Sequence, residues 1–484
     1  MSDTTTLLSV AGVNIAEFLD DTSHLSTIRG GGLLLLDAVA RVEIALEKLA
    51  QGTQTLSRGA SEGLFWLPVG ANAEAIRGQV EKMLNDDPQL KHATFVVDVE
   101  AMKGESDFPR AKEMVKAKNR WRQMQAPSLA IPKATGDGAC EENGIRPISA
   151  DGKCASVLAR KKFGQDQKQG LYAKLTGLND LPAFARDFGT IASCKTRGNL
   201  HNKLAVIYLD GNAFGGLQKA ADTPDKLQTF DQDLRDKREA FLKDVLREIT
   251  GQRAWMNGEV LRFETLLWGG DEMMFVVPAW QGWALLERFF AFSKKWRYDE
   301  QALHHAAGLV FCHHNAPIAR IRDLAHDLAD HVKDLLGDKK KEQSGLAYLT
   351  LESFDSLGTS LDSFLGQTLL RFEGNNKHPL WWLPAEAMPV WAEAAPTLFA
   401  DLPKRRIHRA AQEVSKEGWY DEALVLEGLD ESLKDKWAAL KGAIRPETLP
   451  VTIPDDAERT GKPVASLLPL HLALLWDYLD TAED

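Results

Sequence analysis

Two stretches of this chain repeat one another. LSRGASEGLFWLP (56–68) set beside LLWGGDEMMFVVP (266–278) aligns Gly59 with Gly269, Ala60 with Gly270, Ser61 with Asp271, Glu62 with Glu272 and Pro68 with Pro278. Likewise SVAGVNIAEF (9–18) matches YLDGNAFGGL (208–217), with Ala11 in the place of Asp210 and Gly12 in that of Gly211. A chain with such a duplication is constrained to build the same small unit twice. Only the second copy has an acidic residue at both aligned positions, Asp210 and Asp271, where the first has Ala11 and Ser61, so one competent and one degenerate copy are expected.

The hydrophobic pattern around each copy says what that unit is. In the first, TLLSVAGVNIAEFLD (6–20) reads as a strand turning into a helix, LLLLDAVARVEIALEKLA (33–50) as a helix, and GLFWLPV (63–69) as a strand. AEAIRGQVEKML (74–84) and HATFVVDV (92–99) add a helix and a strand. The second runs from the strand KLAVIYLDGNAFGGL (203–217) through a charged helix at 229–249 to the strands of ETLLWGGDEMMFVVP (264–278). A helix at 283–296, the strand AAGLVFCHH (306–314), a helix at 318–336 and the strand GLAYLTLES (345–353) complete it. Strand, helix, hairpin, helix, strand is the order of a helix-backed antiparallel sheet of ferredoxin-like or palm type. The expected fold is therefore α+β: two ferredoxin-like palm domains, the first degenerate, joined by an insertion module and followed by an α-helical C-terminal domain. The boundaries fall at 1–102 for the first palm, 103–202 for a linker or vestigial zinc-binding module, 203–358 for the second palm and 359–484 for the helical domain. At 484 residues the chain is long enough for several cores.

Charge and composition exclude some functions. A net charge of −11 argues against broad, autonomous gripping of nucleic acid. No apolar run approaches the roughly 20 residues of a membrane span. The start MSDTTTLLSVAG lacks the basic residues and cleavage site of a signal peptide, so a cytoplasmic protein without a membrane partner is expected. Four cysteines, Cys140, Cys154, Cys194 and Cys312, are too few and scattered for a disulfide framework.

The chemistry lies in the second copy. Phosphoryl transfer needs carboxylates that hold Mg²⁺ or Mn²⁺ against a triphosphate. In a palm, one stands at the end of the first strand and another at the central hairpin turn, the places of Asp210 and Asp271. Gly211 and Gly215–Gly216 let the backbone approach phosphates, and the amides beyond Asn212 and Phe214 open a helix whose N-terminus favours anions. Gly269 and Gly270 provide the tight turn that exposes Asp271 and Glu272.

The segments YLDGNAFGG, WGGDEMMFVVP, AAGLVFCHHNAPI, LAHDLADHVKDLL and GLAYLTLES, in that order, resemble the cyclase or polymerase palm of the large subunit of type III CRISPR effector complexes, a relative of GGDEF-type cyclases. NIAEFLDDTSHLSTIRGGGLLLLDAV resembles that family's first palm, so the likeness covers about residues 6–355. It implies synthesis of cyclic oligoadenylate from ATP, metal held by Asp210, Asp271 and the Gly211 carbonyl, Glu272 assisting the metal or the attacking 3′-hydroxyl, and Lys333 on the triphosphate. It implies partners too: other effector subunits and, through them, guide and target RNA. Glu272 and Asn212 stand where the family often has aspartates. An HD nuclease domain, frequent in the family, has no room before the first palm, and His326–Asp327 lacks the further ligands to replace it. The family's zinc-binding insertion falls at CEENGIRPISADGKC, where only Cys140 and Cys154 stand, with Cys194 and His201 distant, so a metal-free loop is expected. Two other readings compete: a scaffold subunit with an inactive palm, and a stand-alone cyclic dinucleotide synthase. The basic stretches 159–164, 337–343 and 402–410 are candidate RNA contacts, and Trp381–Trp382 is read as core.

Overall fold

The computed structural model describes residues 5–125, 138–352, 361, 365, 381–417, 419–444 and 466–479. Part of the expected insertion (126–137), the end of the second palm (353–358) and much of the helical C-terminal region lie outside the described residues. The chain divides into two compact units. The first comprises Met1–Asp187, Ala213–Thr250 and Glu264–Met274, and the second Phe188–Asn212, Gly251–Phe263 and Phe275–Asp484. Compactness therefore does not follow chain order, and the Gly269–Glu272 turn lies in the first unit.

In the first unit, β1 (Thr5–Val13), β2 (Gln54–Arg58), β3 (Glu62–Leu67) and β4 (Thr94–Met102) form a sheet in the order β2-β3-β1-β4. Strand β1 is antiparallel to both neighbours, with Ala11 opposite Glu62 on one side and Val96 on the other. Helix α1 (Leu25–Leu49) joins β1 to β2, and α2 (Ala73–Asp86) joins β3 to β4, which is the expected ferredoxin-like order. Leu34 and Val42 of α1 and Val80 of α2 share a core with Leu8, Phe65 and Val97 of the sheet. On the other face, Phe108, Ala111 and Val115 of α3 (Phe108–Gln125) pack with Leu7, Leu64 and Met102. With both faces covered, the strands lose the strict alternation of a half-solvated sheet.

The stretch 103–202, expected as linker or insertion, in fact carries α3 and a second long helix, α4 (Ala155–Thr176). Helix α4 escapes detection because its buried stripe is polar or small: Ser156, Arg160, Gly164, Lys168, Tyr172 and Thr176 recur at four-residue spacing. Hydrophobic periodicity cannot register such a face. Helices α1 and α4 cross where neither has a side chain. A Cβ on Gly30 would lie 1.7 Å from the Arg160 carbonyl oxygen, and one on Gly164 would lie 2.4 Å from that of Ser26. Arg160 accordingly is no surface RNA contact: it is fully buried and paired with Asp21 at 2.7 Å, while Lys161 pairs with Glu142 at 2.9 Å.

Glu264 begins β6 (Glu264–Gly269) and is 1% exposed. The Arg29 guanidinium of α1 donates to both its oxygens, through Nε at 3.0 and 2.9 Å, and Lys168 of α4 donates at 2.7 Å. Burial opposes ionisation of Glu264, but these two cations outweigh it and hold the carboxyl below its ordinary range.

In the second unit, β5 (Lys203–Gly211), the part of β7 (Glu272–Pro278) from Phe275 on, β8 (His305–His313) and β9 (Gly345–Thr350) lie in the order β9-β8-β5-β7. Strand β8 is antiparallel to β5 and parallel to β9. All but the first residue of β5 is buried, as a central strand covered on both faces requires. Along the chain, α5 (Phe214–Ala220) and α6 (Pro224–Ile249) follow β5, α7 (Ala279–Ser293) follows β7, and α8 (Ile318–Leu336) joins β8 to β9. The order of the first palm thus recurs. The C-terminal region supplies α9 (Ala387–Asp401), α10 (Lys404–Glu417), α11 (Glu431–Ala443) and α12 (Leu468–Leu475), plus one unexpected short strand, Leu383–Pro384, antiparallel to β9. Trp381 is core, stacked on His471 with centroids 4.6 Å apart. No helix among the described residues is long and apolar enough to cross a membrane.

Two measurements check this account. Glu264→Gln strands two buried cations, and urea denaturation is expected to show a loss of roughly 3–5 kcal/mol; a loss under about 1 kcal/mol refutes the anchoring role. Burial first, then the charges of Arg146 and Lys91, lower the pKa of His92 from 6.5 to about 4. The unfolded chain then binds the proton first as pH falls, so stability declines from about pH 6.5 and levels off near 4. That decline should amount to at most about 3 kcal/mol and flatten in His92→Gln.

Candidate active site

In the second unit, Asp210 stands one residue from the end of β5, opposite Ala306 of β8, and is 9% exposed. A carboxylate so withdrawn from water needs a cation, and Lys333 of α8 supplies it by a direct ion pair. Gly211 ends the strand opposite His305. Asn212 is buried, its N–H donating to the His304 carbonyl at 2.8 Å and its Nδ2 to that of Gln343 at 3.1 Å. Its Oδ1 has no hydrogen-bond partner. The structure thus brings Asp210, Gly211, Asn212 and Lys333 together at one end of β5.

In the first unit, Phe214 opens α5 with its ring buried edge-on to Phe230, at a centroid distance of 6.2 Å, so only its backbone can meet a ligand. Gly270 has a φ of 56°, the left-handed conformation that its turn requires. Gly269 is needed for a different reason: a Cβ there would lie 2.4 Å from the backbone nitrogen of Ala60. Ala60 belongs to the β2–β3 turn, so the two turns aligned by the repeat lie backbone against backbone.

Both turns line one cavity of about 470 Å³. Asp271 and Glu272 face it from one turn, and Arg58, Ser61 and Glu62 from the other. Lys112 and Lys116 of α3 add two cations. Arg58 is fixed by donating its N–H to Asp231 Oδ1 at 3.0 Å and its Nη1 to Glu43 at 2.7 Å. The Lys112 ammonium donates to the carbonyls of Gln218 and Ala221 at 2.9 and 2.8 Å, and burial lowers its pKa. Carboxylates facing cations across a space of this size suit a ligand that is itself anionic and binds with a metal ion. Arg58, Lys112 and Lys116 were not among the expected site residues. The only advance signal was the four-residue spacing of the two lysines, which puts them on one helix face.

The other candidates contribute little. Cys140 and Cys154 are buried together with Val157. Cys194 lies elsewhere, its N–H donating to His201 Nδ1 at 3.1 Å. Among the described residues no group of three His, Cys, Asp or Glu is arranged to hold a metal ion. His326 and Asp327 are half-exposed on α8. Of the histidines on β8, His305 is buried between Phe289 and Trp296, and His313 is exposed at the strand's other end.

Asp210 and Lys333 should be energetically coupled. A double-mutant cycle with Asp210→Asn and Lys333→Met, measured by urea denaturation in EDTA, is expected to give roughly 0.5–3 kcal/mol; additive effects would exclude the pairing.

No family model matches the chain, and no curated protein matches it. Solved structures do. The crystal structure of Csm1 in T. onnurineus aligns with a TM-score of 0.55 at 13% identity, over 100% of this chain and 70% of that one. A Csm1–Csm4 cassette in complex with AMPPNP gives 0.56 and 14%, over 99% of this chain and 70% of that one. A cassette in complex with cA4 gives 0.55 and 13% over the same shares, 99% and 70%. At such identities the likeness is one of fold, and the chain has the fold of Csm1 from type III CRISPR complexes, the family that its motifs resemble.

Proposed function

We propose that this chain is a metal-dependent nucleotidyl cyclase of type III CRISPR defence, which makes cyclic oligoadenylate from ATP when target RNA is recognised. The observation that carries the reading is the cavity of about 470 Å³ into which the turn of Asp271 and Glu272 projects opposite Arg58, Lys112 and Lys116. Csm1–Csm4 cassettes in complex with AMPPNP and with cA4 support nucleotides and cyclic oligoadenylate as the ligand class. They support a Csm4-like subunit as partner; guide and target RNA would be reached through the complex.

Asp210, Asp271 and the Gly211 carbonyl are the proposed ligands of Mg²⁺ or Mn²⁺; all are hard oxygen donors, which fits these ions. When bound, such an ion neutralises charge at the attacking and leaving oxygens. The protein's own groups do the rest. Lys333 pairs with Asp210, and were that carboxylate to hold a metal ion, the ammonium would be available to the triphosphate. Arg58, Lys112 and Lys116 hold phosphate charge, while Glu272 stands ready to accept the proton of an attacking 3′-hydroxyl or to assist metal binding. One observation favours the second reading, a scaffold with an inactive palm: Asn212 replaces a carboxylate and spends its amide on the Gln343 carbonyl.

Incubation with ATP and Mn²⁺, in the cognate complex with target RNA, is expected to yield cyclic oligoadenylate by mass spectrometry. Asp271→Ala or EDTA should reduce the yield at least about 100-fold. A wild-type complex silent under every activation favours the scaffold.

A further inference from the structure

A second cavity of about 320 Å³ lies behind the Gly269 turn, sharing the Gly59–Gly269 wall with the first but extending away between α1, α4 and α6. Its charged lining is dominated by cations: Arg58, Lys174, Arg235 and Arg238 against Asp37 and Glu239. Both acids are weakened as competitors. Asp37 is engaged by Arg41 at 2.6 Å, and burial raises the pKa of Glu239.

Arg238 is the informative residue. It is 4% exposed, yet its Nε and Nη1 have no hydrogen-bond partner. Its guanidinium lies over the Trp268 ring, 5.4 Å from the centroid, which supports one face of the cation but leaves its edge donors unused. Burial pushes its pKa down to about 10, while the nearby carboxylates of Asp231 and Asp271 act in the opposite sense. A buried arginine with idle donors costs stability that an incoming anion would restore. The remaining wall is mainly apolar, formed by Leu36, Val39, Phe163 and Leu175 among others. Inorganic phosphate alone would leave that wall wet, whereas a ligand with a phosphate at one end and a flat apolar body at the other satisfies both halves. A volume of about 320 Å³ is at the small end of ligand pockets and matches a single nucleotide.

We propose that this cavity binds a nucleoside phosphate, with Arg238 as its buried phosphate contact, as a site separate from the one that holds Asp271 and Glu272. The ligand would lie against the back of Gly269, so its occupancy bears on the turn without entering the reaction. The proposal needs no cyclase activity, and its readout is binding.

Isothermal titration of the full chain in EDTA tests it, with AMP, adenosine and inorganic phosphate as probes. AMP is expected to bind at least about tenfold more tightly than either fragment. Arg238→Met should weaken AMP at least about tenfold, and Arg238→Lys less. Gly170→Leu provides a variant that keeps the arginine. Gly170 lines only this second cavity, on α4, and the nearest atom to a Cβ there is Gln167 Oε1 at 4.0 Å, so a side chain starts there without a clash and leucine takes up space in this cavity alone. It should abolish AMP binding while circular dichroism and melting stay unchanged. Gln218→Glu, isosteric and adding negative charge to the first cavity alone, should leave AMP affinity intact. No AMP binding, adenosine or phosphate binding as tight as AMP, or affinity that falls in Gln218→Glu but survives Gly170→Leu would each overturn the proposal.

Discussion

A buried carboxylate, Glu264, organises the first unit. Removing a carboxylate from water is unfavourable by several kcal/mol, roughly, and the fold recovers this only by bringing Arg29 and Lys168 to it. Those cations come from two helices far apart in sequence, so α1, α4 and the start of β6 must meet for any of the three charges to be tolerated. Tyr172 reinforces the junction by donating its hydroxyl to Thr265 at 2.9 Å. Because β6 runs directly into Gly269 and Gly270, the position of the acidic turn is inherited from this ion cluster.

The duplication gains a physical meaning at the same place. Aligned turns could have lain anywhere, but Gly269 and Ala60 are in backbone contact, and Ser61 and Asp271 line one cavity. The degenerate copy supplies Arg58 and a small, uncharged Ser61 where a second acidic residue would add negative charge to the space. With Ser61 in that place, Glu62 is the one carboxylate this turn brings to the cavity, beside Arg58, and the asymmetry read from Ser61 falls within the site.

Much of this was legible in the sequence. The strand KLAVIYLDG, the glycine-bounded turn and the order of elements in the second palm follow from apolar runs and turn residues, whereas β2 of the first palm, QTLSR, has one apolar residue and escapes the pattern. The region 103–202 was not legible, because α4 buries Arg160, Gly164 and Lys168 along one stripe and α3 presents lysines to a cavity. A charged residue buried against a distant partner looks in sequence like a solvated one; only its partner, Asp21 or Glu264, distinguishes them. Arg238 belongs to the same class, a cation on a charged helix that reads as surface and is almost wholly enclosed.

The crossing of α1 and α4 at Gly30 and Gly164 bears on how motion travels. Helices separated by side chains slide by exchanging rotamers, which cushions each from the other. Here main chain rests on main chain, and no rotamer can absorb a displacement. Helix α4 is thereby clamped near its middle, one turn from Lys168. A push on its far end, where Lys174 and Leu175 lie, must tilt the helix as a rigid rod about that fulcrum. The grip on Glu264 would tilt with it.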